Sequence, residues 1–145
     1  IGLDHQQYLG NTLKDIAREK GGIIKSDTPL VVGKRQEEVY PIFEELASIK
    51  KAPIHIAQND YKDDDLPKYQ LENTNTAVTA LQKIGVKCSR QNIKSAIQNL
   101  NENTGYQKRM EIINENPKII LDVSHNREGI EQTLSEVNQI CSGKV

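Results

Sequence analysis

The sequence predicts an α/β fold with a largely parallel sheet, and three observations carry that reading. Amphipathic helical stretches alternate with short apolar runs rich in Val, Ile and Leu. Pro, Gly and Asn punctuate the junctions between them. One run, Ile119-Ile120-Leu121-Asp122-Val123, stops abruptly at Ser124, His125 and Asn126, and a further helical pattern begins beyond it. Strands alternating with helices build crossover units whose strands run parallel.

The elements follow in chain order. Ile1-Gly2-Leu3 reads as a strand end that delivers Asp4 and His5 to a loop. A helix over Thr12 to Lys20 places Leu13, Ile16 and Ala17 on one face, with Asn11 or Thr12 as cap and Gly21-Gly22 as stop. Pro29 to Gly33 reads as a buried strand. The next helix aligns Val39, Ile42, Phe43, Leu46 and Ala47, and Pro41 fits only its first turn, which argues for a late start. Pro53 to Ala57 is another strand, and His55 faces away from Ile54 and Ile56 within it. Gln58 to Pro67 is a polar break holding Asp63-Asp64-Asp65, which reads as a solvated loop or a site for a hard cation. A helix from Gln70 to Ile84 turns Ala77, Val78, Leu81 and Ile84 inward. Ser89 caps another, carrying Ile93, Ala96, Ile97 and Leu100. Asn99 to Gly105 reads as an Asn-rich linker and the best domain boundary. Two strands, Met110 to Ile113 and Lys118 to Leu121, flank the turn signal Asn114 to Pro117. The last helix lines up Ile130, Leu134, Val137 and Cys141.

The bulk composition excludes several classes. The 145 residues amount to about one average domain, and 19 basic against 20 acidic side chains leave a net charge of −1. Such balance gives no general attraction to nucleic acid or to an anionic membrane. There is no Trp, one Phe and no apolar stretch of membrane-spanning length. Cys88 and Cys141 lack zinc spacing and form no disulfide framework, so a reducing cytoplasm is the expected compartment.

The candidate chemistry sits in five places. Asp122, Ser124, His125 and Asn126 at a strand end suit a ligand-binding edge, since ligands of open α/β sheets sit outside the carboxyl ends of strands; a strand-to-helix turn capped by Asn126 or Ser124 is the alternative. Asp4 and His5 are competent metal ligands. Lys20 at a helix C-terminus suits an ordinary cation, or a metal ligand if converted to a carbamate. Arg109, before a strand, suits a phosphate or plain solvent. Gln70 and Asn73 share a helix face and could read a purine edge or stay solvated.

Together these stretches resemble the folylpolyglutamate synthase and dihydrofolate synthase family of the Mur ligase superfamily. Ile1-Gly2-Leu3-Asp4-His5, Leu9-Gly10, Thr12-Leu13 and Ile16 through Lys25 look like the family's long signature. Tyr69-Gln70-Leu71-Glu72-Asn73 with Ala77 is similar to its His-Gln-x-x-Asn-x-x-x-Ala helix, with Tyr69 in place of His. Arg109 matches the arginine of a Gly-Arg pair, with Lys108 in place of the glycine. Leu121-Asp122-Val123-Ser124-His125-Asn126 is similar to Leu-Asp-Gly-Ala-His-Asn, with Val123 and Ser124 in place of small residues.

The resemblance implies an ATP-dependent ligase of folate biosynthesis that joins L-glutamate to folate or dihydropteroate through an acyl phosphate. It implies part of a Mur-ligase-type P-loop ATPase central domain over residues 1–104, followed by the start of a Rossmann-like C-terminal domain over 105–145. By motif, His5 would hold magnesium, Lys20 would be a carbamylated lysine at the metal site, and Asn73 would contact adenine. Arg109 would reach the phosphates, Asp122 would bind ribose, and His125 would lie nearby. ATP and magnesium are the implied cofactors; no nucleic acid or membrane partner is implied. The sequence contains no Gly-x-x-x-x-Gly-Lys-Ser/Thr, the loop that cradles ATP phosphates. We therefore read the chain as an internal fragment or truncated homologue with little ligase activity alone, marginally stable and prone to aggregate. A non-catalytic remnant or nucleotide-binding interaction module is the alternative.

Overall fold

The computed structural model describes residues 1–106 and 109–140. It comprises two compact units, Ile1–Cys88 and Ser89–Val145.

The first unit opens without the expected strand. The side-chain amide of Gln36 accepts a hydrogen bond from the Ile1 nitrogen (2.6 Å) and donates one to the Ile1 carbonyl (2.9 Å). Those backbone groups are thus satisfied without a neighbouring strand. A short helix α1 (Gln6–Leu9) follows His5, whose φ of 50° is left-handed. Helix α2 (Leu13–Gly21) begins as expected: the Thr12 hydroxyl accepts from the Asp15 amide, and the Asp15 carboxylate accepts from the Thr12 amide. That reciprocal pair satisfies two otherwise orphaned donors. Ile16 and Ala17 are fully buried. Gly21 lets α2 approach the next helix closely, since a Cβ there would lie 2.3 Å from Leu46 Cδ1.

Strands β1 (Leu30–Val32) and β2 (Ile54–Ile56) pair in parallel, Leu30 opposite Ile54 and Val32 opposite Ile56. The crossover between them is α3 (Tyr40–Ile49), with Pro41 in its first turn as the sequence requires. Ala17, Ile24, Val39, Ile42, Phe43, Ala47 and Ala52 form the core, with Leu13, Leu30, Val32, Leu46 and Ile54 against it. Burying each large aliphatic or aromatic side chain here contributes roughly 1.5–3 kcal/mol.

Helix α4 (Lys68–Lys83) forms where expected but turns a different face inward. Asn75, Val78 and Thr79 are buried, whereas Ala77, Leu81 and Ile84 are exposed. The reason lies in the loop before it. Asn75 Oδ1 accepts from the Tyr61 amide (3.0 Å), and its Nδ2 donates to the Tyr61 carbonyl (3.1 Å). The Thr79 hydroxyl accepts from the Gln58 amide (3.0 Å) and donates to the Asn75 carbonyl (2.8 Å). These polar side chains hydrogen-bond the backbone of the buried Tyr61 segment. Asp63 accepts from the Tyr61 hydroxyl and the Asp65 amide, so the acidic triplet organises its own loop.

In the second unit Ser89 and Asn92 form a reciprocal cap for α5 (Arg90–Gln98). The expected linker is instead a further short helix, α6 (Leu100–Thr104), which ends at the left-handed Gly105. Strands β3 (Glu111–Glu115) and β4 (Lys118–Leu121) form an antiparallel hairpin, which corrects the expectation of a largely parallel sheet. Only Asn116 and Pro117 join them, too few for a crossover. The turn is also shorter than the expected Asn114 to Pro117, because β3 continues through Glu115. Ile119 and Leu121 are 43% and 39% exposed, since the hairpin has no third strand among the described residues. Helix α7 (Arg127–Ile140) buries Val137, while Ile130 and Leu134 stay exposed. Cys141, expected on the same face, and Lys108, expected beside Arg109, lie outside the described residues.

Candidate functional site

The polar end of β4 gathers a dense set of hydrogen bonds among the described residues of the second unit. The Asp122 side chain is 8% exposed. Its Oδ2 accepts from the Met110 amide (2.9 Å), and its Oδ1 accepts from the Ser124 amide (2.7 Å) and the Thr133 hydroxyl (3.2 Å). Arg109 Nη1 lies 3.7 Å from Oδ1. Burial opposes the charged form, but the donors on Ser124, Met110 and Thr133 outweigh it and hold the carboxyl below its ordinary range. Three segments converge on this one carboxylate: the residues entering β3, those leaving β4, and the second turn of α7.

Arg109 is held on two edges. Its Nε donates to the Tyr106 hydroxyl (3.2 Å) and its Nη1 to the Ser124 hydroxyl (3.2 Å). His125 is exposed, with Nδ1 3.1 Å from the Val123 carbonyl. Asn126 is the helix cap: its side-chain oxygen accepts from the Gly129 amide at 2.8 Å. A Cβ on Gly129 would sit 3.0 Å from that oxygen and 3.2 Å from Ser124 Oγ, so a larger residue there would press on the cap. Of the two sequence readings of this turn, the capped turn is present. The ordered carboxylate and arginine beside it are what a ligand edge would also need.

The first unit places its candidates separately. The Asp4 carboxylate accepts from the His5 amide (2.8 Å), and His5 Nε2 lies 3.7 Å from Asp4 Oδ2. Lys20 is exposed in the last turn of α2, beside the carbonyl end of the helix. Asn73 is exposed on α4, on the rim of an apolar groove of about 520 Å³ walled by Ile23, Leu30, Thr76, Ala80, Leu81 and Ile84. Neither His5 nor Lys20 lines that groove.

Sequence reasoning missed Thr133 and Tyr106. Thr133 left a signal. Asn126, Ile130, Thr133 and Val137 share one helix face, so Thr133 is a polar residue in an otherwise apolar stripe, aimed at the strand end. Tyr106 left none.

A buried carboxylate, an arginine and a histidine thus gather at the polar end of a strand in an α/β chain. No family model matches the chain. The dihydrofolate synthase/folylpolyglutamate synthase of Bacillus subtilis is 26% identical over 165 residues, covering 96% of this chain and 38% of that protein. The structure of E. coli FolC in complex with DHPP and ADP superposes with a TM-score of 0.77 at 26% identity, covering 99% of this chain and 38% of that one. An FPGS–AMPPCP–folate complex gives a TM-score of 0.80 at 24% identity, over the whole chain and 42% of its counterpart. Over most of its length the chain matches the folylpolyglutamate synthase/dihydrofolate synthase family of the Mur ligase superfamily. It spans between 34% and 39% of the length of the first curated relatives it matches. Among the described residues no helix is long and apolar enough to cross a membrane.

Proposed function

We propose that this chain is part of an ATP-dependent ligase that adds L-glutamate to folate, or to dihydropteroate, through an acyl phosphate. The observation that carries the reading is the family match over nearly the full chain, by sequence and by fold together. In this reading residues 1–104 belong to a Mur-type ATPase domain and 105–145 open a Rossmann-like C-terminal domain, although residues 89–104 pack with the second unit here. The compartment is the cytoplasm, and the partners are small molecules.

The local chemistry of most of these residues supports the roles the resemblance gives them. Arg109 presents a guanidinium, braced on two edges, for phosphate oxygens. Asp122 takes a ribose hydroxyl, with His125 beside it, and Asn73 takes the adenine edge from the rim of the apolar groove. His5 supports magnesium: an exposed imidazole beside a carboxylate is a suitable donor set for a divalent cation. Magnesium, when bound, neutralises charge on the transferring phosphoryl group. Lys20 fits less directly. The C-terminal end of α2 favours its ammonium, so a carbamate there needs added positive charge to offset the helix dipole. The work of this chain's residues is positioning and charge neutralisation, which dominate phosphoryl transfer.

The test has two arms. With ATP, magnesium, glutamate and a folate, this chain alone is expected to release ADP near background, because no phosphate-cradling loop is present in its sequence. Turnover at an ordinary enzyme rate of about 1 per second or more would refute that account of the site. ADP is expected to bind measurably and to weaken on Asn73→Ala and Arg109→Ala. Failure to bind at roughly millimolar ADP would overturn the nucleotide reading and favour a non-catalytic interaction module.

A further inference from the structure

The hydroxyls around Arg109 form one connected set. Thr133 Oγ1 donates to Asp122 Oδ1 (3.2 Å). Ser124 Oγ lies 3.0 Å from Thr133 Oγ1, a contact in which either hydroxyl can donate, and the Ser124 hydroxyl also supports the Asp122 carboxylate. Ser124 Oγ accepts from Arg109 Nη1 through a lone pair, at 3.2 Å. Guanidinium, Ser124, Thr133 and carboxylate are thus joined in one hydrogen-bonded chain. The 3.7 Å approach of Arg109 to Asp122 closes the ring. Hydrogen bonds joined in a chain polarise and strengthen one another. On the opposite edge Nε donates to the Tyr106 hydroxyl. Among the described residues the Nη2 amine donates to none, and the Arg109 side chain is one-third exposed.

We infer that Ser124, Thr133 and Tyr106 are positioning residues that lock the Arg109 guanidinium so that its Nη2 edge faces solvent as a preformed seat for a phosphate oxyanion. This rests on the proposed reading of Arg109 as a nucleotide contact, and deepens it. A guanidinium clamped before the ligand arrives loses less side-chain entropy on binding than a free one. Ser124 is central because a smaller residue at that position, with no hydroxyl, would cut the ring at the arginine.

The experiment follows the Arg109 Nε–H resonance of the ¹⁵N-labelled full chain, assigned by its loss in Arg109→Lys. In the native chain the proton is expected to exchange slowly. Ser124→Ala is expected to shift the resonance and speed exchange roughly tenfold, and Ser124→Thr to restore both. Thr133→Val is expected to loosen Arg109 in the same direction, although Thr133 does not touch it. A packing role alone would leave that signal in place. Tyr106→Phe removes only a hydroxyl from a half-exposed ring, so it keeps the proposal decidable if a turn variant fails to fold. An unchanged Arg109 resonance in Ser124→Ala and Tyr106→Phe overturns the inference. ADP titration separates the two claims. Loss of about tenfold in affinity in Ser124→Ala supports both. A relay intact by resonance, with Arg109 unmoved by saturating ADP, leaves the positioning in place and overturns the phosphate reading.

Discussion

Removing the Asp122 carboxylate should unfold the turn it organises. The Asp122→Ala change deletes the acceptor of the Met110 and Ser124 amides and of the Thr133 hydroxyl, and leaves Arg109 without its counter-charge. An amide left unpaired away from water costs about 1–3 kcal/mol. Both amides are partly reached by solvent, so the low end applies to each, and the total comes to about 2–4 kcal/mol. That is a large fraction of what a small unit with a thin apolar core can hold. Asp122→Asn keeps one acceptor but turns an amide donor toward another donor, for about 1–2 kcal/mol.

Urea titration followed by amide resonances of the second unit measures the loss, and hydrogen exchange at Met110 and Ser124 localises it. The same carboxylate sets a pH dependence. Its folded pKa lies below the ordinary value of 3.8. The stability it contributes is therefore fully present above that value and disappears as pH falls through the lower folded value. The native chain should lose more stability than Asp122→Asn between about pH 5 and pH 2. Parallel pH profiles for the two proteins, or unchanged Met110 exchange in the alanine variant, would refute the reasoning.

Three further outcomes follow. Asn75→Ala removes two hydrogen bonds to the Tyr61 backbone and should cost about 2–4 kcal/mol, with faster exchange at the Tyr61 amide and a lower melting temperature as the readouts. Gly10→Ala combines a φ of +102° with a Cβ 2.4 Å from Asp15 Cβ, so it should destabilise by about 1–3 kcal/mol and fray the start of α2; helical chemical shifts retained at Leu13 and Lys14 would contradict it. Ile23→Lys and Ile84→Lys change side chains 75% and 65% exposed on the apolar groove, so they should lower light scattering while leaving the melting temperature within about 0.5 kcal/mol equivalents.

What was legible in the sequence was local. The Thr12–Asp15 and Ser89–Asn92 caps, Pro41 in the first turn of α3, and the β1–α3–β2 crossover all follow from side-chain chemistry within a few residues. What was illegible depended on partners distant in sequence. Hydropathy assigned Ala77, Leu81 and Ile84 to the core, but Asn75 and Thr79 turn inward because the Gln58–Tyr61 backbone needs them. The stretch read as a strand end at Ile1 instead meets one side chain distant in sequence, Gln36, which donates to the Ile1 carbonyl. The strand end at Asp122 was found because its polar residues are consecutive. Thr133 and Tyr106, which complete it, stand 11 residues after and 16 before Asp122 in the chain.

The bonds that Asp122 already makes constrain the ribose contact proposed for it. A carboxylate offers about four lone-pair directions. Oδ1 already takes the Ser124 amide and the Thr133 hydroxyl, with Arg109 close by, while Oδ2 takes the Met110 amide. A ribose hydroxyl must therefore approach Oδ2, from the side of Met110, and share that oxygen with the backbone. Met110 itself has a φ of +51°, the left-handed region that a non-glycine residue rarely adopts. The Asp122 bond to its amide helps hold it there. A ligand that competed for Oδ2 would weaken that bond and cost part of the stability worked out above. In the proposed reading, a ribose contact and turn stability would be coupled through one oxygen. The Met110 amide is where that coupling would register, as faster exchange when nucleotide binds and no change when inorganic phosphate alone is added.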